Sequence, residues 1–441
     1  MLKRKIMDKL LEWKHSEKKK CLLIDGARQI GKTFIIRKLG EQYDNYIELN
    51  FLEHPEYMTI FSGSLDVNSL VVGITALVPD ANITKHGTLI LLDEIQECPA
   101  AITSLKFWSL DGKFDVIATG SALGIDYKRE SSYPVGFVET LRMTSLDFEE
   151  FLWAIGTPQN VIDAARECFA KRIPVSEAVH IHMQSCLKQY LIIGGMPETV
   201  NEYLSGHNLK TTDAVQRQIY SDYISDIARY APPEVKIKAE KCYRSIPNQL
   251  TKENHKFQYK IVENRGSASK YETSIDWLER AHIAKSVYNV SAVDFPISAF
   301  MDMDNFRLYP TDIGLLMAAY PYLVKTALLD DARLETPATN MVIGTAKGGI
   351  YEALAADMLI KRGYTELMFL KDAKSTREVE FFITNDDGII PVEIKAGRNK
   401  ANSLGHLLQK DVIPYGFKMS SQNVGVSGKL ITLPLYMLMF V

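Results

Sequence analysis

The first third of the chain alternates short apolar runs with segments of helical period. Four runs have the length of strands, at residues 21–24, 46–51, 88–92 and 114–118. Residues 34–39 follow the first run with apolar positions at helical spacing. Strands that alternate with helices predict an α/β fold, with a parallel sheet covered by helices on both faces. In such a sheet a ligand binds beyond the carboxyl ends of the strands, so the residues that follow each run are the candidates for function.

Beyond residue 155 the apolar periodicity is mostly helical. Residues 155–235 predict packed helices. Further on, the pattern predicts a helix around Ile246 and Leu250, a second helix at 271–280 and a short strand at 283–288. Helices followed by a β-ribbon resemble a winged helix, a module that reads DNA in some proteins and contacts other proteins elsewhere. Both roles stay open from the sequence.

A phosphate-binding pattern follows the first strand. Its eight residues fit G-x-x-x-x-G-K-[ST], the Walker A pattern, and they are Gly26, Ala27, Arg28, Gln29, Ile30, Gly31, Lys32 and Thr33. The glycines let backbone N–H groups point at the phosphates of ATP, the lysine reaches the β- and γ-phosphate oxygens, and the Thr33 hydroxyl binds Mg²⁺. The alternative is a glycine turn that ends in Lys-Thr by chance. A strand before the pattern and a helix after it favour the phosphate loop.

Two carboxylates follow the apolar run at 88–92. Asp93 and Glu94 stand where a buried central strand ends, which is the Walker B arrangement. Asp93 is predicted to hold Mg²⁺, and Glu94 to orient and polarise the attacking water, with Lys32 as the second catalytic residue. The alternative is an acidic pair in a loop after a core strand.

Hydroxyl side chains end the next run, at Thr119 and Ser121. If this strand lies beside the Asp93 strand, either hydroxyl can reach the γ-phosphate and sense its hydrolysis. The alternative is that both hydroxyls cap the following turn.

These motifs resemble the bacterial and archaeal AAA-type ATPases that carry an uncharacterised C-terminal domain. The likeness rests on GARQIGKT, LILLDEIQ, ATGSALG and residues 143–152, and it returns at 190–198 and 308–316. It implies nucleotide roles for the phosphate-loop residues and for Asp93 and Glu94. Many relatives have an arginine where this chain has Phe137, so Arg129 or Arg142 would have to replace it. AAA-type sites often take an arginine from a neighbouring subunit, which makes a homo-oligomer a candidate state.

The C-terminal third contains a second set of acids. Glu352 lies on a predicted helix, Glu380 on a predicted strand, and Glu393 and Lys395 on the next one. The order resembles the PD-(D/E)xK nuclease fold, where two acids bind Mg²⁺ and the lysine acts on the water and the phosphate. Glu380 stands where aspartate is usual, and E-x-K also occurs on ordinary exposed strands. Several nearby cations are candidates for a phosphate backbone or for solvated loops: Lys371, Lys374, Arg377, Arg398 and Lys400.

The bulk composition sets the class of protein. The 441 residues predict two to four domains, and 46% hydrophobic with 24% charged residues exclude a disordered chain. The net charge of −3 gives no overall basic field for nucleic acid. Five cysteines that are far apart, with neither a signal peptide nor a long apolar run, predict a cytoplasmic protein with no membrane contact.

The sequence therefore predicts four domains. They are an AAA-type ATPase domain at 1–155, a helical region at 156–235, a winged-helix-like domain at 236–320 and a nuclease-like domain at 321–441. The predicted function is Mg²⁺-dependent hydrolysis of ATP coupled to an unknown target, with DNA as one candidate. The alternative is a nucleotide-dependent switch that docks a protein partner and carries an inactive nuclease-like domain.

Overall fold

The computed structural model describes residues 2–121, 134–252, 255–329, 346–372, 378–395 and 402–441. It contains two compact units. The N-terminal unit is Arg4–Ser145 together with Arg280–His282. The C-terminal unit is Leu146–Glu279 and Ile283–Val441, together with the first three residues.

The N-terminal unit is built on a five-stranded sheet in the order β2-β3-β4-β1-β5, and every neighbouring pair is parallel. This confirms the predicted parallel sheet. The strands are β1 (Cys21–Gly26), β2 (Asn45–Asn50), β3 (Thr88–Asp93), β4 (Asp115–Ser121) and β5 (Val138–Arg142). The helices are α1 (Ile6–His15), α2 (Lys32–Gly40), α3 (Val67–Leu77) and α4 (Pro99–Asp111), with 3-10 turns at Pro55–Phe61 and Ile95–Glu97.

Strand β3 is an inner strand of this sheet, between β2 and β4, and its six residues are all buried. Ile90 and Leu92 belong to a core that also contains Trp108. A strand covered on both faces needs a continuous apolar sequence, which explains why 88–92 is apolar without alternation. Because the strands are parallel, their carboxyl ends meet at one edge. That edge receives Gly26 from β1 and Asp93 from β3.

The C-terminal unit begins with helices and ends with a mixed sheet. Its helices are α5 (Phe148–Ala154), α6 (Gln159–Lys171), α7 (Glu177–Ile193), α8 (Pro197–Gly206), α9 (Leu209–Tyr230), α10 (Lys236–Leu250), α11 (Tyr259–Val262), α12 (Ala268–Arg280), α13 (Ile313–Ala318), α14 (Tyr322–Leu329), α15 (Ala346–Lys361) and α16 (Asn402–Leu407). Its strands are β6 (Ala284–Val290), β7 (Met301–Pro310), β8 (Met368–Lys371), β9 (Glu378–Asn385), β10 (Gly388–Ile394), β11 (Gly416–Ser420), β12 (Gly425–Ser427) and β13 (Leu430–Pro434). Short 3-10 turns lie at Ile297–Phe300 and Leu435–Met439. Among the helices of the described ranges, none is both long and apolar enough to cross a membrane.

The sheet of this unit joins segments that the sequence analysis assigns to different domains. Its order is β12-β13-β11-β10-β9-β8-β6-β7, so the antiparallel pair β6–β7 continues into β8. Strands from both sides of residue 320 therefore share one sheet. The compact N-terminal unit also ends at Ser145, before the predicted boundary at residue 155. The four predicted domains stay a prediction, and the sequence pattern alone does not indicate this shared sheet.

Two glycine-rich segments that carry the family resemblance pack against each other. A Cβ atom on Gly194 would lie 2.5 Å from the Cα of Gly314, and one on Gly195 would lie 2.0 Å from the Leu146 carbonyl oxygen. Asp312 joins the two segments because its carboxylate accepts from the Gly195 N–H at 2.9 Å and from the Gly314 N–H at 2.8 Å. These motifs therefore hold the helical part of the unit together.

A buried lysine completes this contact. Lys361 is fully buried, and its ammonium lies 3.1 Å from Asp312 and 2.8 Å from Asp357. It also donates to the Tyr190 hydroxyl at 3.0 Å. Burial raises the pKa of Asp357 to about 6, although the nearby Lys361 charge opposes the rise. One cation therefore serves two buried carboxylates.

Candidate nucleotide site

The phosphate loop connects β1 to α2. Gln29 has φ +60° and Gly31 has φ +92°, so the backbone enters the left-handed region twice in a short turn. Gly26 is needed for a different reason, because a Cβ there would lie 2.3 Å from the Met143 carbonyl oxygen. Helix α2 begins at Lys32, so its N-terminus and the positive end of its dipole face the loop.

Lys32 folds back onto the loop. Its ammonium donates to the carbonyl oxygens of Gly26 at 2.9 Å and Ala27 at 2.7 Å. Burial lowers the pKa of Lys32 to about 8, although the carboxylates of Glu94 and Asp93 counteract the shift. Two neutral carbonyl oxygens offset only part of the desolvation cost of this ammonium. A bound anion at this place would therefore stabilise its charge.

Asp93 is the centre of a hydrogen-bonded group at the same edge. The Thr33 hydroxyl donates to its Oδ2 at 3.0 Å, and the Thr119 hydroxyl donates to its Oδ1. Burial raises the pKa of Asp93, and these two hydrogen bonds oppose the rise. The structure thus brings together Thr33, Asp93 and Thr119, three residues that the sequence analysis took from separate motifs.

Asn50 belongs to this group, and the sequence analysis missed it. It ends β2 opposite Asp93, and its side-chain amide donates to Asp93 Oδ2 at 3.2 Å. Its side-chain oxygen accepts from the backbone N–H groups of Leu52 and Glu53, both at 3.0 Å. These contacts fix the side chain. A polar residue at the carboxyl end of a predicted strand was the available signal.

Glu94 has a left-handed backbone, with φ +52°. This conformation is uncommon for residues other than glycine and turns the chain sharply after β3. The side-chain amide of Gln96 donates to Glu94 Oε2 at 2.5 Å. Gln96 was not among the predicted site residues, and it holds the carboxylate in one position.

The remaining loop residues have supporting contacts. The buried Arg4 of the N-terminal unit donates to the Ile30 carbonyl oxygen at 3.0 Å, and this hydrogen bond helps to fix the loop backbone. The charge of Arg28 lowers the pKa of Lys32 further. Ser121 ends β4 opposite Gly26, but its side chain lies outside the described residues.

Of the two arginines that are candidates for a nucleotide contact, the structure describes one. Arg142 ends β5 opposite Asp25, one residue before the loop, whereas Arg129 lies outside the described residues. Asp25 also lies 2.6 Å from a ring nitrogen of His282. Burial alone would raise the pKa of Asp25, but the hydrogen bond and charge of His282, with Arg142, lower it.

The residues of this edge fit Mg·ATP. Backbone N–H groups at a helix N-terminus and one lysine suit phosphate oxygens, while a hydroxyl next to a carboxylate suits Mg²⁺. The ammonium of Lys32, which is paired only with carbonyl oxygens in hydrogen bonds to the described residues, supports the same fit.

Glu352, the first of the C-terminal acids, is paired with cations and hydroxyls. It is buried on α15, and its Oε1 accepts from the guanidinium of Arg307 and the hydroxyl of Tyr309. Its Oε2 lies 2.6 Å from a ring nitrogen of His255. Burial alone would raise the pKa of Glu352, yet the Arg307 charge and the His255 hydrogen bond lower it to about 2. Arg307, which the sequence analysis missed, already neutralises this carboxylate.

Glu380, Glu393 and Lys395 lie together on β9 and at the end of β10. Lys395 Nζ lies 2.8 Å from Glu393 Oε1 and 3.9 Å from Glu380 Oε1. Glu380 accepts from the Ile394 N–H at 2.9 Å. Burial raises the pKa of Glu380 to about 8, although Lys395 opposes the rise, and burial also raises the pKa of Glu393.

The cations near these acids are only partly described. Lys371 pairs with Glu378 at 3.0 Å, so it is an ion-paired strand residue. Lys374, Arg377, Arg398 and Lys400 lie outside the described residues. In the described part of the chain, no group of three or more His, Cys, Asp or Glu side chains is arranged to hold a metal ion. The second metal site stays a prediction from the sequence.

Comparison with family profiles supports the geometry of the N-terminal unit. Residues 18–152 match the profile of an AAA domain. The N-terminal unit is therefore similar to phosphate-loop domains of the AAA type. Residues 184–326 match a domain of unknown function, DUF8612, and residues 347–436 match another, DUF4143. Neither description names a winged helix or a nuclease.

Solved structures show weaker likenesses. A Walker-type ATPase of Pyrococcus abyssi is 12% identical, with 72% of this chain and 96% of that chain covered and a TM-score of 0.43. The ORC1 protein of Aeropyrum pernix in complex with DNA is 12% identical, with 77% and 92% covered and a TM-score of 0.28. Cdc6p from Pyrobaculum aerophilum is 13% identical, with 71% and 88% covered and a TM-score of 0.22. At these scores no likeness fixes fold or function, and no curated protein matches the chain.

Proposed function

We propose that the N-terminal unit hydrolyses ATP to ADP and phosphate with Mg²⁺. The observation that carries the proposal is the meeting of Lys32, Thr33 and Asp93 at one sheet edge, with the Thr33 hydroxyl 3.0 Å from the Asp93 carboxylate. An AAA profile over the same residues supports it. Chance does not easily place an underpaired lysine, a hydroxyl and a buried carboxylate beside a glycine loop.

Each residue has a role in this proposal. Lys32 leaves the loop carbonyls and binds phosphate oxygens, while the loop N–H groups hold the other phosphates. Thr33 and Asp93 hold Mg²⁺, which neutralises part of the phosphate charge when it is bound. Glu94, released from Gln96, orients the attacking water and accepts its proton. The Thr119 hydroxyl donates to the Asp93 carboxylate, and it changes the position of that carboxylate when the γ-phosphate is hydrolysed.

The test measures nucleotide binding and phosphate release for Lys32→Ala. Lys38→Ala is the matched control because Lys38 lies on the same helix and pairs only with Glu41 in the described contacts. The first variant should lose binding of a fluorescent ATP analogue and all phosphate release, whereas the control should behave like wild type. Normal binding and release by Lys32→Ala would contradict the proposal.

A second candidate function, in which ATP binding controls the docking of a basic protein, is supported by a stretch of sequence that is rich in acids. Segments 268–279 and 283–306 contain six acidic residues and two basic ones. The acids are Glu272, Asp276, Glu279, Asp294, Asp302 and Asp304. Both lysines are ion-paired, Lys270 with Glu263 at 3.0 Å and Lys285 with Glu279 at 3.5 Å. Exposed acids such as Glu272, Asp276 and Asp304 repel a DNA backbone.

Apolar side chains accompany the acids. Phe295 and Met303, in and beside the β6–β7 connection, are 68% and 58% exposed. Large exposed apolar residues next to acids suit a protein surface that combines apolar and basic residues. The pairing of Glu352 with Arg307 also favours an inactive nuclease-like domain.

The test compares two probes by fluorescence anisotropy at about 0.1 M salt, where short-range charge pairs still act. One probe is a duplex DNA and the other is an amphipathic Lys/Leu peptide. The peptide should bind, and Asp304→Asn with Phe295→Ser should weaken it. DNA that binds tightly, and more tightly after Asp304→Asn, would favour DNA as the target.

A further inference from the structure

A short segment from the second half of the chain reaches the candidate nucleotide site. Residues Arg280–His282 belong to the compact N-terminal unit, although the AAA-matched residues end at 152. In this segment the His282 ring Nε2 lies 2.6 Å from Asp25 Oδ2, and Asp25 directly precedes the phosphate loop. An ionised carboxylate can only accept, so the ring nitrogen donates its N–H. The N-terminal unit therefore has a side chain beside its loop that lies outside the AAA-matched residues.

The backbone of His282 has a conformation that suits glycine better than histidine. Its φ is +55°, in the left-handed region. The turn is held on both sides, because the Ile283 N–H donates to the Leu278 carbonyl oxygen at 3.0 Å and the Ile283 carbonyl oxygen accepts from the Thr311 N–H at 3.1 Å. A side chain at such a position costs free energy that glycine would not. An outlier of this kind points to a function for the side chain.

Asp25 brings a negative charge next to a loop that suits anions. Burial alone would raise the pKa of Asp25, but the hydrogen bond and charge of His282, and then the charges of Arg142 and Lys32, lower it. Burial lowers the pKa of Lys32 to about 8, and the Asp25 carboxylate opposes this fall together with Glu94. The charges of Asp25 and Lys32 therefore influence each other. A carboxylate without a partner here would attract the ammonium that binds phosphate and would repel the phosphates.

We infer that His282 is a positioning residue of the nucleotide site: it holds the Asp25 carboxylate in a charge-assisted hydrogen bond, which leaves Lys32 free to bind the phosphates of ATP. The inference rests on the proposed ATP site and adds a residue to it. The side chains of His282 and Asp25 are 18% and 23% exposed, so water screens the pair only in part. Arg142, opposite Asp25 in the register of β1 and β5, adds its charge near the same carboxylate.

The alternative is that this contact only tethers the segment. In that case the contact would matter for stability, and the affinity for ATP would not depend on the charge of Asp25.

The test measures the affinity of the full chain for a fluorescent ATP analogue with Mg²⁺. His282→Gly removes the ring and relieves the left-handed backbone, so thermal unfolding should stay close to that of wild type. The analogue should bind about fivefold more weakly, the size expected for the loss of a partly exposed hydrogen bond to a charged group. His86→Gly is the matched control, since His86 is exposed in the same unit and has φ +62°. The control should bind like wild type.

Further variants separate positioning from tethering. Asp25→Asn removes the carboxylate charge, so the addition of His282→Gly to it should weaken binding by less than about twofold. His282→Gln keeps an N–H donor on a side chain of similar reach, and it should retain most of the affinity that His282→Gly loses. Phosphate release at saturating ATP should stay at the wild-type rate in His282→Gly, because the roles of Asp93 and Glu94 are unchanged.

Weaker binding by His282→Gly that disappears in the Asp25→Asn background supports the inference. The inference is overturned if His282→Gly binds the analogue like His86→Gly, or if the loss is the same with and without Asp25→Asn. A wild-type chain that binds no ATP contradicts the proposed function and this inference with it. A wild-type chain that binds ATP, beside an unchanged His282→Gly, contradicts this inference alone.

Discussion

Replacing Lys361 by methionine tests the buried ion network of the C-terminal unit. The ammonium is 0% exposed and lies 2.8 Å from Asp357 and 3.1 Å from Asp312. Methionine keeps most of the volume of the side chain and removes the charge. Two buried carboxylates then lose their cation, and the Tyr190 hydroxyl loses a donor.

The expected magnitude follows from the geometry. At an effective dielectric constant of about 20, unit charges at this separation attract by roughly 6 kcal/mol. Desolvation of the ammonium offsets part of this, and removing one partner of a buried pair usually costs about 3–5 kcal/mol. We therefore expect Lys361→Met to lower the free energy of unfolding of the C-terminal unit by about 3–5 kcal/mol.

The assay is urea denaturation followed by circular dichroism, with Lys171→Met as the matched control. Lys171 also pairs with an acid four residues earlier on its helix, Glu167, but the two side chains are 59% and 63% exposed. The control should lose less than about 0.5 kcal/mol. Equal losses in the two variants would refute the argument from burial.

The loss should also depend on pH. The pKa of Asp357 in the folded protein, about 6, lies above its unfolded value near 3.9, so folding favours the protonated acid. This contribution is fully present below about pH 4 and is lost as pH rises through 6. Lys361 opposes the rise in pKa, so its removal moves the window to higher pH. The deficit of Lys361→Met should therefore be larger at pH 8 than at pH 5.

Three further predictions concern single side chains. Gly26→Ala should abolish nucleotide binding in a fluorescent-ATP titration because its Cβ would lie 2.3 Å from a carbonyl oxygen, whereas Gly63→Ala, which meets nothing within 4 Å, should bind normally. Asn50→Ala should raise the Mg²⁺ concentration needed for half-maximal phosphate release severalfold, because the Asp93 carboxylate loses a donor; an unchanged Mg²⁺ requirement would contradict this role. Glu380→Gln should remove a fall in stability between about pH 4.5 and 8, since the folded pKa of about 8 lies above the unfolded value and protonation stabilises the fold by ~1.4 kcal/mol per pKa unit; identical pH profiles in urea denaturation would refute it.

The N-terminal unit could be predicted well because its signals are local. A glycine loop between a strand and a helix predicts a phosphate site at the sheet edge. A continuous apolar strand that ends in Asp93 predicts a carboxylate at the same edge. Asn50 could not be predicted as a site residue because a single polar residue at a strand end belongs to no recognisable motif. Its partner, Asp93, lies across the sheet, and only the register of β2 and β3 brings the two together.

The C-terminal unit could be predicted less well because its contacts are distant in sequence. Glu352 has the expected position on a helix, but Arg307, which neutralises it, comes from a strand 45 residues earlier. The shared sheet of β6 and β8 likewise joins segments that local periodicity cannot link.

Steady-state phosphate release from Mg·ATP by Glu94→Gln is the most direct test of the central claim. Glu97→Gln is the control, since this carboxylate ends the short 3-10 turn that begins directly after Glu94. We expect Glu94→Gln to bind nucleotide like wild type and to release no phosphate above the Lys32→Ala blank, while Glu97→Gln turns over normally. Turnover by Glu94→Gln at the wild-type rate would contradict the assignment of water activation to this carboxylate.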